Sequence, residues 1–119
     1  MVLLVDDNQE WRETVREYLA LHGYIVQSAA NGSEALELSK RYQTPPELIL
    51  LDLNMPILDG WGFLAERLSD PRLAKVPVVV MSASIGIDLQ AQQAGASAVL
   101  QKPFAPQTML RMIESLCGR

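Results

Sequence analysis

The sequence predicts an α/β domain built on a five-stranded parallel sheet. Three observations carry that expectation. Four short segments, VLLV at 2–5, LILL at 48–51, VVVM at 78–81 and AVL at 98–100, are unbroken apolar runs. They lack the alternation of a strand with one wet face, as expected when helices cover both sides of a sheet. Between the strands lie segments with apolar residues at helical spacing or with helix start and stop signals. Strands and helices alternate in this way along the whole chain, the pattern of a layered α/β domain. With 119 residues the chain has room for one core, so residues 1–119 are expected to form a single domain.

The elements follow in order. VLLV at 2–5 is the first strand. From Gln9 to His22 the residues Trp11, Val15, Tyr18 and Leu19 share a helical face, and Gly23 suits the position past the helix end. IVQSA at 25–29 is a second, more polar strand. Asn31 followed by Glu34 resembles a capping box for a helix through about Tyr42, and Pro45-Pro46 ends that stretch. LILL is the third strand. Asp59 is placed to cap a helix from Gly60 to about Leu68. SDPRLAKVP reads as a loop with a broken turn, and VVVM as the fourth strand. Asp88 to Ala94 forms a short helix closed by Gly95, followed by the fifth strand, AVL. Pro106 suits a helix start, and Met109, Leu110, Ile113, Leu116 and Cys117 continue at helical spacing.

Composition narrows the function. The chain is 49% apolar and 20% charged, so it can bury enough surface to fold. A net charge of −4 without a basic run disfavours nucleic-acid binding by this domain. A lone cysteine, Cys117, precludes an internal disulfide, in keeping with a reducing compartment. No apolar run is long enough to span a membrane and no secretory signal pattern is present, so the expected location is the cytoplasm.

In open parallel sheets ligands bind beyond the carboxyl ends of the strands. Strand one ends in Asp6 and Asp7, strand three in Asp52, strand four in Ser82, and strand five leads into Lys102-Pro103. The second strand ends in two alanines. The strand order 2-1-3-4-5, the flavodoxin-like doubly wound arrangement, sets the four polar tips side by side. Three carboxylates brought together cannot all ionise without cost. Mg²⁺ relieves that cost, since it takes oxygen ligands and retains water where protein does not reach. Asp7 and Asp52 suit direct ligation, Asp6 ligation through water, and the Asn54 backbone carbonyl offers a further oxygen. Metal, lysine and hydroxyl together describe a phosphoryl site. Lys102 offsets charge on the transferring oxygens, Ser82 donates a hydrogen bond, and a carboxylate oxygen of Asp52 is the candidate nucleophile.

VDDN at 5–8, LLDLNMPILDG at 50–60, MSAS at 81–84, AGAS at 94–97 and QKPF at 101–104 stand in order at these strand ends. Together they resemble the receiver domains of two-component response regulators, the family with the fold of the chemotaxis response regulator. The resemblance covers essentially the whole chain. It implies that Asp52 accepts a phosphoryl group from the phosphohistidine of a sensor histidine kinase or histidine phosphotransfer protein. It further implies that Asp6 and Asp7 hold Mg²⁺ with the Asn54 carbonyl, that Ser82 is a switch hydroxyl, and that Lys102 is the phosphate partner. The Lys102-Pro103 bond would be cis. Such a domain is a signalling switch rather than an enzyme acting on other substrates, since it catalyses only its own phosphorylation and dephosphorylation. Its output domain or effector is left open. Two departures from the pattern stand out. Val99 occupies a place where many receivers carry Tyr or Phe, and the stretch from Ser82 to Lys102 is about two residues short. A clipped helix is therefore expected there, with a nearly uncharged face at Gln90, Gln92 and Gln93.

Plainer readings compete. In these Asp6-Asp7 serves only to cap the first helix, and Ser82 only to satisfy backbone groups. His22 reads as a helix-end residue, Trp11 and Trp61 as packing residues, and Cys117 as a small core hydrophobe. Trp61, soon after the Asp52 loop, is placed to report on it by fluorescence. A haloacid-dehalogenase-type phosphatase would want a second acid where Asn54 stands, and a flavin-binding module would not place Asp6-Asp7 at its phosphate loop.

Overall fold

The structure is a computed structural model and describes residues 1–118. Strands β1 (Val2–Val5), β2 (Val26–Ala29), β3 (Leu48–Asp52), β4 (Val78–Ser82) and β5 (Ala98–Gln101) form one parallel sheet in the order β2-β1-β3-β4-β5. Helices α1 (Gln9–Leu21), α2 (Gly32–Ser39), α3 (Gly60–Arg67), α4 (Pro71–Ala74), α5 (Asp88–Gln93) and α6 (Pro106–Cys117) cover its two faces. No helix among the described residues is long and apolar enough to cross a membrane.

Alternation along each strand divides the core in two. Leu3, Val5, Ile49, Leu51, Val78 and Val80 pack on one face with Ala35 of α2, Phe63 and Leu64 of α3 and Ala91 of α5. Val2, Leu4, Leu48, Leu50, Val79 and Met81 pack on the other with Val15 and Leu19 of α1 and Met109 and Ile113 of α6. The unbroken apolar runs of the central strands are thereby explained, because both faces are dry. Cys117 packs at the margin of the second cluster.

The sheet register positions the functional end. Val5 pairs with Leu51, so the next residues, Asp6 and Asp52, emerge side by side. Asp52 itself pairs with Met81, and Ser82 pairs with Gln101, immediately before Lys102. The Lys102 N–H donates to the Ser82 carbonyl at 2.8 Å, carrying the sheet pattern one residue past β5.

Local structure follows the sequence signals with three adjustments. Strands three, four and five each run one residue beyond the apolar run, so Asp52, Ser82 and Gln101 belong to the ladder. The second helix stops at Ser39 rather than near Tyr42. There Arg41 and Tyr42 turn back with tighter bonds to the Leu38 and Ser39 carbonyls, which starts the chain toward β3. The stretch expected as a loop after α3 contains the four-residue helix α4. Asp70 caps it by accepting from the Arg72 N–H at 2.9 Å, and Pro71 occupies its first turn. Arg67, only 2% exposed, binds α4 to α3. Its guanidinium donates to the Leu73, Ala74 and Gly95 carbonyls at 3.0, 3.1 and 3.0 Å. Burial lowers the pKa of this guanidinium.

Gly60 opens α3 under the tip of β3. A Cβ there would lie 2.6 Å from both the Asp52 carbonyl oxygen and Leu53 Cα, which are backbone atoms with no room to yield. Gly60→Ala should therefore lower stability by about 1–3 kcal/mol, the usual range for overpacking a tight site. Urea unfolding should show a lower midpoint with an unchanged slope, and an unaltered midpoint would mean that the loop relaxes freely.

Candidate functional site

The site lies at the carboxyl end of the sheet. Asp6 leaves β1 only 1% exposed. Its Oδ1 accepts the Asn8 N–H at 2.9 Å, and its carbonyl accepts from Arg12 Nη1 at 2.7 Å. Asp7 beside it faces solvent. Neither aspartate caps α1. That role belongs to Asn8, whose side chain accepts the Trp11 N–H at 3.0 Å. Both acids are left available to the site.

Asp52, 6% exposed, closes the cluster. Asp6, Asp7 and Asp52 each offer a carboxylate oxygen, all within 4.8 Å of one another. Lys102 reaches in from beyond β5, its Nζ 3.3 Å from Asp6 Oδ2 and 3.8 Å from Asp52 Oδ1. The Lys102-Pro103 bond is cis. One ammonium against three ionised carboxylates leaves two negative charges uncompensated, and a single divalent cation would neutralise them. The donors are hard oxygens, which suits Mg²⁺ rather than a softer metal.

Electrostatics single out Asp52. Desolvation raises its pKa to about 6, and the Asp6 charge adds to the rise. Lys102 and the Asn54 N–H, which reaches Asp52 Oδ1 at 3.4 Å, pull the other way, and Asp7 raises it further.

Ser82 is 1% exposed, and its hydroxyl oxygen accepts the Ser84 N–H at 3.0 Å. Accepting this bond leaves its own proton for donation. The loop after β3 carries Asn54 and is pinned at both ends. Gly60 N–H donates to the Leu53 carbonyl at 3.0 Å, and Asp59 caps α3 through the Gly62 N–H at 2.8 Å. Leu58 sits where a Cβ on either Gly32 or Gly62 would collide with it, and its carbonyl accepts the Gly32 N–H at 3.0 Å. Asn54 thus lies on a constrained loop beside Asp52, while Ile57, at the exposed tip, has a φ of 69°.

Comparison with known proteins agrees with this fold. A sequence model of the response regulator receiver domain matches residues 2–114. The chain belongs to that family. This receiver is 36% identical over 121 residues to "Response regulator Rre1" of Synechocystis sp., covering 99% of this chain and 52% of that protein. It is 32% identical to "Probable transcriptional regulator ycf29" of Porphyra purpurea, covering 99% of this chain and 56% of that one. The receiver therefore spans about half the length of the curated relatives it matches. Among solved structures, the Vibrio cholerae chemotaxis protein CheY4 superposes with a TM-score of 0.88 at 30% identity, covering 97% of this chain and 96% of that one. The receiver domain of a sensor histidine kinase from Pseudomonas aeruginosa PAO1 superposes with a TM-score of 0.87 at 28% identity, covering 99% and 97%. The latter holds a magnesium ion coordinated in its active site cleft.

Of the strand-tip residues singled out in the sequence, Asp6, Asp7, Asp52 and Lys102 meet in one crevice, and Ser82 stands at the tip of the adjoining strand. Two neighbours were not legible there. Arg12 reaches the Asp6 carbonyl one helical turn after the acids, and Trp11, expected only as packing, lies with its ring 5.5 Å from Lys102 Nζ. Trp11 follows Asn8 by three residues, which places it above the acids once Asn8 is recognised as the cap.

The raised pKa of Asp52 has a consequence for stability. Its ionised form is disfavoured in the folded state, so this group makes the metal-free protein less stable as pH rises through about 6. In a chelator-containing buffer at pH 7–8, Asp52→Asn should be more stable than wild type by ~1–3 kcal/mol. The gap should narrow as pH falls below about 6 and close below the ordinary carboxylate value of 3.8, where the carboxyl is protonated in both states. Denaturant titrations across this range check it, and a gap independent of pH would contradict the assignment.

Proposed function

We propose that this receiver is a phosphorylation-controlled signalling switch in which Asp52 is the phosphoacceptor. The observation that carries the reading is the convergence of Asp6, Asp7 and Asp52 with Lys102 at 3.3 and 3.8 Å from two of them. An oxygen of Asp52 attacks the phosphorus of a phosphohistidine on a sensor histidine kinase or a histidine phosphotransfer protein. A P–O bond forms, the P–N bond breaks, and its electron pair returns to the imidazole. Lys102 lies where it can offset charge on the phosphoryl oxygens, and Ser82 has a proton to donate to one of them. Asp6, Asp7, Asp52 and the Asn54 carbonyl would hold Mg²⁺, which when bound supplies charge neutralisation and orients the oxygens. Water attack on the acyl phosphate then resets the switch, so the domain catalyses only its own modification. Work with a kinase of this type assigns it to the cytoplasm.

The switched surface is proposed to be unusual. Val99 is half-buried against the core face shared with α3 and α5 and is too short to swing as an aromatic would. The helix beside it, α5, has only six residues, with Gln90, Gln92 and Gln93 exposed. The output, in the same polypeptide or a partner, would be reached through this altered face.

Intact mass after incubation with Mg²⁺ and a small phosphoryl donor tests the chemistry. Wild type should gain one phosphoryl group, and Asp52→Asn should gain none. Label retained on the variant would remove Asp52 as acceptor, and label gained without Mg²⁺ would remove the metal's role.

A further inference from the structure

Lys102 enters the site on a long, flexible stem, and its ammonium meets two acids of unequal pull. Asp6 is nearer, at 3.3 Å, than Asp52, at 3.8 Å. Left to these two, the lysine would settle on Asp6 and withdraw from the place where phosphoryl oxygens on Asp52 would lie. A third group meets the ammonium. The Trp11 ring centroid lies 5.5 Å from Lys102 Nζ, within the range of a cation–π attraction. An indole face attracts the ammonium without adding a negative charge to a site that already holds three.

The ring is well anchored. Trp11 stands in the first turn of α1, where its N–H is bound by the Asn8 cap. Phe104 meets it edge to face at a centroid distance of 5.5 Å and an interplanar angle of 78°. Phe104 follows Lys102 by two residues, so the loop that carries the lysine also packs on the ring that receives it. Among the described residues no acceptor meets the buried Trp11 Nε1, and packing alone therefore orients the indole.

We propose that Trp11 is a positioning residue, whose indole face holds the Lys102 ammonium between Asp6 and Asp52 in readiness for a phosphoryl group. The role rests on the phosphoacceptor reading given above, and two measurements test it.

The first uses a small phosphoryl donor at saturating Mg²⁺. Trp11→Leu should lower the maximal rate of self-phosphorylation roughly three- to tenfold, the worth of a partly desolvated cation–π contact. Half-saturating donor concentration and Mg²⁺ affinity should stay at wild-type values. Trp11→Phe, which restores an aromatic face, should recover most of the rate. The second reads the contact without any reaction. In a Trp61→Phe background, where Trp11 is the sole indole, Lys102→Met should shift the Trp11 emission.

A wild-type rate in Trp11→Leu, or an equal loss in Trp11→Phe, would overturn the proposal. So would an emission spectrum indifferent to Lys102→Met, whether or not Trp11→Leu folds. A wild type that takes no phosphoryl group would overturn the phosphoacceptor reading, and the positioning role with it. That outcome is distinct, because it appears before any Trp11 variant is made.

Discussion

The register of the parallel sheet is the constraint on which the site depends. Pairing Val5 with Leu51 sets Asp6 beside Asp52, and pairing Ser82 with Gln101 delivers Lys102 to the same level. Side chains alternate along a strand, so a slip of one residue would turn every core side chain to the other face. Both faces of the central strands are packed against helices, so a slip would exchange side chains between the two cores and mismatch both at once. The core thereby enforces a geometry that the polar residues would not choose for themselves, three carboxylates within 4.8 Å of one another. Hydrophobic burial holds the acids together, and their repulsion makes the crevice a receptor for positive charge.

Around this crevice the packing supplies rigidity where the chemistry needs it. Asp6 is fixed by the Asn8 N–H and, through its carbonyl, by Arg12. The loop bearing Asn54 is held by glycines at positions where any side chain would strike Leu58 or the tip of β3. Lys102 is the exception, a long cation whose placement rests on weak and distributed contacts. The same contrast appears at Arg67. Among the described residues no carboxylate pairs with it, and its Nη1 and Nη2 donate to three carbonyls that tie α3 to α4 and to the end of α5, while Nε is left without an acceptor. Burying an ion costs less when most of its hydrogen bonds are met, and here one such ion replaces apolar packing beside a clipped helix.

Much of the fold was legible because its signals are local. Apolar runs marked the strands, and Asn31, Asp59 and Pro106 marked helix starts that the structure bears out. Errors fell where local signals are weak or ambiguous. Asp70-Pro71 opens a helix of only four residues, too short to show periodicity. The overlong second helix reflects polar residues after Ser39 that suit a helix as well as a turn. The start of α1 at Gln9 was legible, but its cap is Asn8 and neither Asp6 nor Asp7, which the plainer reading had offered for that role.

The sequence by itself determined the alternation of elements, the parallel sheet, its strand order and the residues at its tips. These follow from hydrophobic periodicity and from the chemistry of residues adjacent in the chain. Only the tertiary structure decided how those tips interact: which acid is buried, which cation lies nearest, and that desolvation more than charge raises the Asp52 pKa to about 6. It also decided that Trp11 faces Lys102, a residue 91 positions away. Such distances arise from packing six helices on the two faces of a five-stranded sheet, and no pattern within a short window of sequence encodes them.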